Sequence, residues 1–217
     1  SRNNTRTCWV LKGDIRQFFA SIDHGVLKNI LDRHIPDSNV SWLLDQIIDS
    51  FETAGNPGTG LPLGNVTSQL LVNVYLNEFD QFVKRAVKAK HYTRFADDFT
   101  IMSADKAWLA SVIPRLSQFL RERLHLELHP DKLTIRTLSS GVDFLGWVHF
   151  PHHRTLRTVT KRRAWRRLKA NPDAATLNSY LGLLQHGNAH MITTEMQAMF
   201  DDAQSTQESK TQRVKKI

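Results

Sequence analysis

Residues 91–102 read His-Tyr-Thr-Arg-Phe-Ala-Asp-Asp-Phe-Thr-Ile-Met, two β-prone runs around the adjacent carboxylates Asp97 and Asp98. This pattern predicts a tight hairpin with the acids at its tip. Aspartates are common wherever a chain reverses, but here alternating aromatic and apolar residues bury the arms and hold the acids. Two adjacent carboxylates repel, and burial raises their pKa values unless a cation neutralises them. Mg²⁺ suits such a pair, because it prefers oxygen ligands and completes its shell with water and substrate phosphates. A third acid, Asp14, closes the apolar run Thr7–Ile15, where a charge is costly without a partner. The obvious partner is the metal that Asp97 needs. Asp23 reads differently, since it stands where a helix begins and serves equally well as its N-terminal cap.

The elements that must position these acids follow from apolar spacing. Thr7–Ile15 predicts a buried strand, and Phe18, Phe19 and Ile22 pack behind it. Helices are predicted from Asp23-His24 to about His34 and from Val40 to Phe51, with a break at Ile35-Pro36-Asp37. A Gly- and Pro-rich loop over Glu52–Leu63 leads into Gly64-Asn65-Val66-Thr67-Ser68-Gln69 and a long amphipathic helix, Leu70–Val87. Gly64 lets backbone or substrate approach closely, and free N–H groups at the helix start suit a phosphate or a base; a loop shaped only for chain reversal is the plainer alternative. After the acidic hairpin come a helix over Asp105–Leu124 and a strand, turn and strand over Leu126–Ile135. Gly141–Phe150 then predicts a second aromatic hairpin arm. His149, His152 and His153 match no zinc spacing and read as a wet loop. From Thr160 the chain is helical in three pieces, Lys161–Lys169, Ala174–Gln185 and His190–Phe200.

Composition narrows the partners. The 217 residues suffice for one large domain or a domain plus an appendage, and the net charge is +8. Arg154, Arg157, Lys161, Arg162, Arg163, Arg166, Arg167 and Lys169 crowd one segment that contains no acid. Such a block is a solvated face or a phosphate-contacting one, and the missing acids favour phosphate, hence nucleic acid. A membrane surface fits less well, because the apolar face opposite these charges is thin. No apolar run is long enough to span a bilayer, and the opening residues lack the apolar core of a signal peptide. The single cysteine, Cys8, forms no internal disulfide and fits a reducing, cytoplasmic location.

Acids on the first strand and on the hairpin place Asp14 beside Asp97 and Asp98 on one sheet surface. Such a surface can hold two divalent ions, which an in-line displacement at phosphorus needs. The order of motifs resembles a reverse transcriptase of the prokaryotic branch, over nearly the whole chain. Asp14–His24 resembles the first palm motif, Gly60–Gln69 the motif that shapes the template and nucleotide pocket, and Phe95-Ala96-Asp97-Asp98 the catalytic hairpin. Lys132 falls where the family keeps a lysine near the triphosphate, and Phe144-Leu145-Gly146-Trp147 resembles the primer grip.

The resemblance implies an α+β fold: an antiparallel palm sheet with helices on one face over 1–150 and a basic helical thumb over 151–202; the polar stretch 203–217 has little to bury and reads as a disordered tail. It implies RNA-directed DNA synthesis with two Mg²⁺ ions, or Mn²⁺, on Asp14 and Asp97 with Asp98 assisting. Lys132 would protonate the leaving pyrophosphate, although a surface lysine after a turn is its plain alternative. Phe19 would gate the incoming sugar, and Leu63, Gly64 and Gln69 would shape the nucleotide site. Implied partners are an RNA template, a DNA primer or cDNA, deoxynucleoside triphosphates and an accessory protein of the retroelement. Leu63-Gly64 followed by Ser68-Gln69 departs from the commoner Gln-Gly and Ser-Pro and resembles the diversity-generating type, otherwise close to group II intron enzymes. Enzymes of the diversity-generating type copy with errors, especially opposite adenine. The family's fingers precede the first palm motif, and only thirteen residues precede Asp14, so the expectation is a chain without fingers. The competing expectation is a palm–thumb remnant that binds nucleic acid without catalysis.

Overall fold

In the computed structural model of the chain, residues 7–214 are described, with side chains through residue 203 and at Ser205. They form two compact units that divide between Thr137 and Leu138.

The first unit is built on a central apolar strand. β1 (Trp9–Gly13) pairs antiparallel with β3 (Asp98–Ser103) on one side and β4 (Thr134–Thr137) on the other. β2 (His91–Phe95) completes the sheet in the order β2-β3-β1-β4. Leu11, Phe99 and Ile101 form one core with Tyr75 and Phe79 of α3 (Val66–Gln81) and Leu109 and Leu116 of α4 (Lys106–Leu124). Each such side chain contributes about 1.5–3 kcal/mol on burial. Gly13 leaves room where β1 ends, because a Cβ there would clash with the edge of the Phe99 ring. Phe79 meets that ring edge-on at 5.3 Å, which locks sheet to helix beneath the hairpin.

Aspartates start three helices of this unit, Asp23 among them as the sequence suggests. Asp23 caps α1 (His24–Asp32) by accepting the Val26 amide, Asp37 caps α2 (Ser38–Asp49), and Asp105 caps α4. α3 begins at Val66 rather than Leu70 and passes into a π-helical turn over Phe82–Ala86. The strand, turn and strand expected over Leu126–Ile135 appear in that order, with the first strand reduced to a bridge. A single bridge joins Leu128 to Ile15, and a 3₁₀ turn over Pro130–Lys132 precedes β4. Pro130 lacks the N–H that a continuing strand needs.

In the second unit β5 (Val142–Phe144), β6 (Trp147–His149) and β7 (Arg154–Leu156) form an antiparallel sheet. It is followed by α5 (Thr158–Ala170), α6 (Ala174–Leu184) and α7 (His190–Val214). Trp147 and Leu156 share a core with Ala164, Leu168, Leu177 and Met196. The unit boundary therefore lies ahead of the expected one at 150/151: the hairpin that carries Trp147 buries it among the helices that follow. Gly187 leaves room for this, since a Cβ there would clash with the Trp147 indole. The segment expected to be a disordered tail is helical to Val214, because it contains no Gly or Pro to stop α7; residues 215–217 lie outside the described residues.

Candidate active site

The register of β1 on β3 brings the acids together. Gly13 pairs with Phe99, so the next positions set Asp14 opposite Asp98. Phe95 pairs with Asp98, which leaves Ala96 and Asp97 as a two-residue turn, with Ala96 in the left-handed region at φ 50°. The Asp97 carbonyl accepts the Ile15 amide at 3.3 Å, tying the turn to the end of β1. Asp14 is only 5% exposed. Its partner is Lys132, whose Nζ donates to Oδ2 at 2.8 Å, where the sequence pointed to a metal. Lys12 Nζ lies 3.6 Å from Asp98.

Burial pushes the Asp97 carboxyl up, its own backbone amide opposes this, and the charges of Asp14 and Asp98 push it further up. The hydrogen bond to Asp14 raises Lys132 and keeps its ammonium charged. Among the described residues no three His, Cys, Asp or Glu side chains close on one point as a metal cage. The donor set nonetheless suits a divalent cation: carboxylate oxygens only, crowded enough that one of them resists ionisation.

Beside the acids lies a cleft of about 480 Å³ lined by Phe19, Ala20, Ser21, Thr53, Leu63 and Asp97, among others. The chain turns into it through Gln17 at φ 45° and the 3₁₀ turn Phe18–Ser21. Phe18 is buried in the core at 3% exposure and its half-buried neighbour Phe19 packs on that core; both reach the wall of the cleft, Phe19 as the more exposed of the two. The glycine loop is stitched to this turn. Leu61 and Gly60 amides donate to the Phe19 and Ile22 carbonyls, and Thr53 Oγ1 donates to the Ala20 carbonyl at 2.9 Å. Buried His24, which the sequence reading left without a role, bonds the Gly60 carbonyl through Nε2 at 2.7 Å. Leu63 is 78% exposed at the cleft edge. Gly64 and Gln69 lie beyond it, at the entrance and first turn of α3. Gly64 needs its φ of 92° but is not crowded.

The family model for reverse transcriptase (RNA-dependent DNA polymerase) matches residues 1–149. The chain belongs to the reverse transcriptase family. It is 28% identical over 213 residues to protein YkfC of Escherichia coli, covering 80% of this chain and 54% of that protein. It is 36% identical over 83 residues to the group II intron-encoded protein LtrA of Lactococcus lactis, covering 35% of this chain and 13% of that protein. The chain thus spans about half the length of the first relative and far less of the second. A solved telomerase from Candida albicans, in complex with a fragment of telomeric RNA, superposes with a TM-score of 0.55 at 12% identity. That match covers 90% of this chain and 40% of the telomerase, and at such identity it speaks for the fold alone. The architecture is that of a reverse transcriptase palm followed by a helical thumb.

Within the thumb unit, Phe144-Leu145-Gly146-Trp147 is a hairpin whose tip residues Leu145 and Gly146 both have positive φ. Phe144 and Trp147 are buried and Leu145 is exposed. Two of the basic residues are engaged inside the unit: Arg154 lies over the Trp147 ring at 5.4 Å, and Arg157 Nε bonds Asp143 at 2.7 Å. Asp143 is an acid outside the basic run, which inspection of that run alone misses. α5 buries Ala164 and Leu168, half-buries Lys161, and presents Arg162, Arg163, Arg166, Arg167 and Lys169 to solvent. Among the described residues no helix is long and apolar enough to cross a membrane.

Proposed function

We propose that this chain is the palm and thumb of an enzyme that copies an RNA template into DNA from deoxynucleoside triphosphates. The observation that carries the reading is the meeting of Asp14, Asp97 and Asp98 beside a cleft walled by Phe19. Held by Asp14 and Asp97 with Asp98 assisting, two Mg²⁺ ions, or Mn²⁺, would supply activation of the primer 3′-hydroxyl and charge neutralisation at the pyrophosphate. The chain's own residues do the rest. Lys132, charged and next to Asp14, would give a proton to the departing pyrophosphate. Phe19, in the wall of the cleft, would admit deoxyribose and reject a 2′-hydroxyl. The hairpin Phe144–Trp147 would hold the primer end, and the exposed arginines of α5 would track the phosphate backbone of the RNA–DNA duplex.

The test is primer extension on an RNA template by the protein supplied with deoxynucleotides and Mg²⁺. Extension that stops on chelation is expected. Tight duplex binding with no extension at any Mg²⁺ or Mn²⁺ concentration would favour the binding remnant instead. The pairs Leu63-Gly64 and Ser68-Gln69 support a finer reading, an error-prone enzyme of a diversity-generating retroelement working with an accessory protein. Sequenced products should then carry errors concentrated opposite template adenines, and errors spread evenly over the four bases would remove that reading.

A further inference from the structure

Arg94 bears a charge in a strand beside the catalytic turn, and its side chain is only 9% exposed. Four N–H···O contacts account for it. Nε and Nη2 grip the two oxygens of Asp80 on α3 at 2.8 and 2.7 Å. Nη1 donates to the Ala96 carbonyl at 3.0 Å and to Asn73 Oδ1 at 3.3 Å. Tyr92, on the same face of β2, donates its hydroxyl to Asp80 at 2.6 Å. Asn73 in turn donates to the Gln69 carbonyl at 3.0 Å, one turn back along α3. One guanidinium therefore touches the turn that carries Asp97 and the helix that carries Gln69.

The turn needs such a hold. Ala96 sits at φ 50°, a conformation a non-glycine residue keeps only when its surroundings impose it. The Arg94–Asp80 fork is bidentate and charge-assisted, the strongest kind of side-chain hydrogen bond. Fixed to α3, it leaves Nη1 aimed at the carbonyl of the strained residue. We propose that Arg94, anchored by Asp80, is a positioning residue that sets the Ala96–Asp97 turn and so the place of the Asp97 carboxylate. It contacts neither the acids nor the cleft. The proposal rests on the polymerase reading for its kinetic consequence and on the turn geometry alone for its structural one.

Two variants separate these. Arg94→Lys keeps the charge but cannot span Asp80 and the Ala96 carbonyl with one ammonium. Asp80→Asn keeps the shape and weakens the anchor should the lysine variant fail to fold. Arg33→Ala, which removes an exposed ion pair to Glu78 on the same helix, is the control. In primer extension at a temperature where all are folded, Arg94→Lys should lose about 10- to 100-fold in kcat, because small displacements of a reacting group cost that much. Its KM for deoxynucleotide should stay within about twofold. Hydrogen exchange at the Ile15 amide, which donates to the Asp97 carbonyl, should speed up about tenfold or more in Arg94→Lys, less in Asp80→Asn, and not at all in Arg33→Ala. Wild-type kcat with wild-type Ile15 exchange in the folded Arg94 or Asp80 variant would overturn the proposal, as would activity lost only in step with the unfolded fraction. Should wild-type protein extend no primer, the polymerase reading fails, and Ile15 exchange still decides the role of Arg94.

Discussion

The acids of the palm and the cations of the thumb are handled in opposite ways. Asp14, at 5% exposure, is clamped to Lys132, and Asp97 is held in a strained turn and pushed toward neutrality by burial and by its neighbours. Arg162, Arg163, Arg166 and Arg167 stand in solvent on one helix. On the proposed reading, chemistry at phosphorus would need these ligands fixed and desolvated before the substrate arrives, and a core of Tyr75, Phe79 and Phe99 beneath them offsets the cost in stability. Contact with a phosphate backbone needs only mobile positive charge of sufficient density. The same contrast exists inside the thumb, where Arg154 and Arg157 are spent on Trp147 and Asp143 and so serve the fold.

This comparison breaks most sharply at the acids. Asp14→Asn should reduce primer extension at least about 1,000-fold, because it removes a charge that a divalent ion requires. A variant that extends at a near wild-type rate would show that the buried acids are structural. Next is the basic helix. Replacing Arg162, Arg163, Arg166 and Arg167 together by alanine should flatten the dependence of log Kd on log salt by about 0.9 per lost contact. An unchanged slope would return α5 to an ordinary solvated face.

The adjacent phenylalanines sharpen the contrast within the palm. Phe18→Ala should cost about 3–5 kcal/mol in a urea melt, because its ring lies in the core. Phe19→Ala should cost much less and lower the ratio of deoxynucleotide to ribonucleotide use by roughly tenfold. Equal destabilisation with an unchanged ratio would make both residues core.

The smallest expected effect is at Asp23. Burial raises its carboxyl, but hydrogen bonds from His125 and the Val26 amide outweigh this and hold it below the ordinary value of 3.8. A depressed carboxyl stabilises the fold above its unfolded value, and that contribution is lost as pH falls through the folded one. Asp23→Ala should therefore cost about 1 kcal/mol at pH 7. The gap from wild type should narrow at pH values below 3.8. A gap that does not change with pH would detach the cap from this ionisation.

Local pattern carries much of this molecule. Period-two alternation announces the hairpin around Asp97, an acid closing an apolar run announces Asp14, and Asp23 ahead of α1 announces its cap. What local pattern misses is pairing across distance. Lys132 meets Asp14 across 118 positions. Arg94 and Tyr92 share the inward face of β2, which alternation does suggest, but their anchor Asp80 becomes visible only when α3 packs on the sheet. Trp147 looks like a palm residue until α5–α7 close over it. Nor does any residue near 203 signal that α7 continues, because the absence of a stop is weaker than the presence of one.

The division of labour itself is tested most directly by measuring duplex Kd and single-turnover extension rate in parallel for two proteins, Asp97→Asn and the quadruple α5 alanine variant. The account predicts a crossing: Asp97→Asn keeps its Kd within about threefold and loses its rate, whereas the quadruple variant loses affinity and, at saturating duplex, keeps its rate. If Asp97→Asn weakens binding as much as it slows extension, or the α5 variant stays slow at saturation, the separation of chemistry from grip is contradicted.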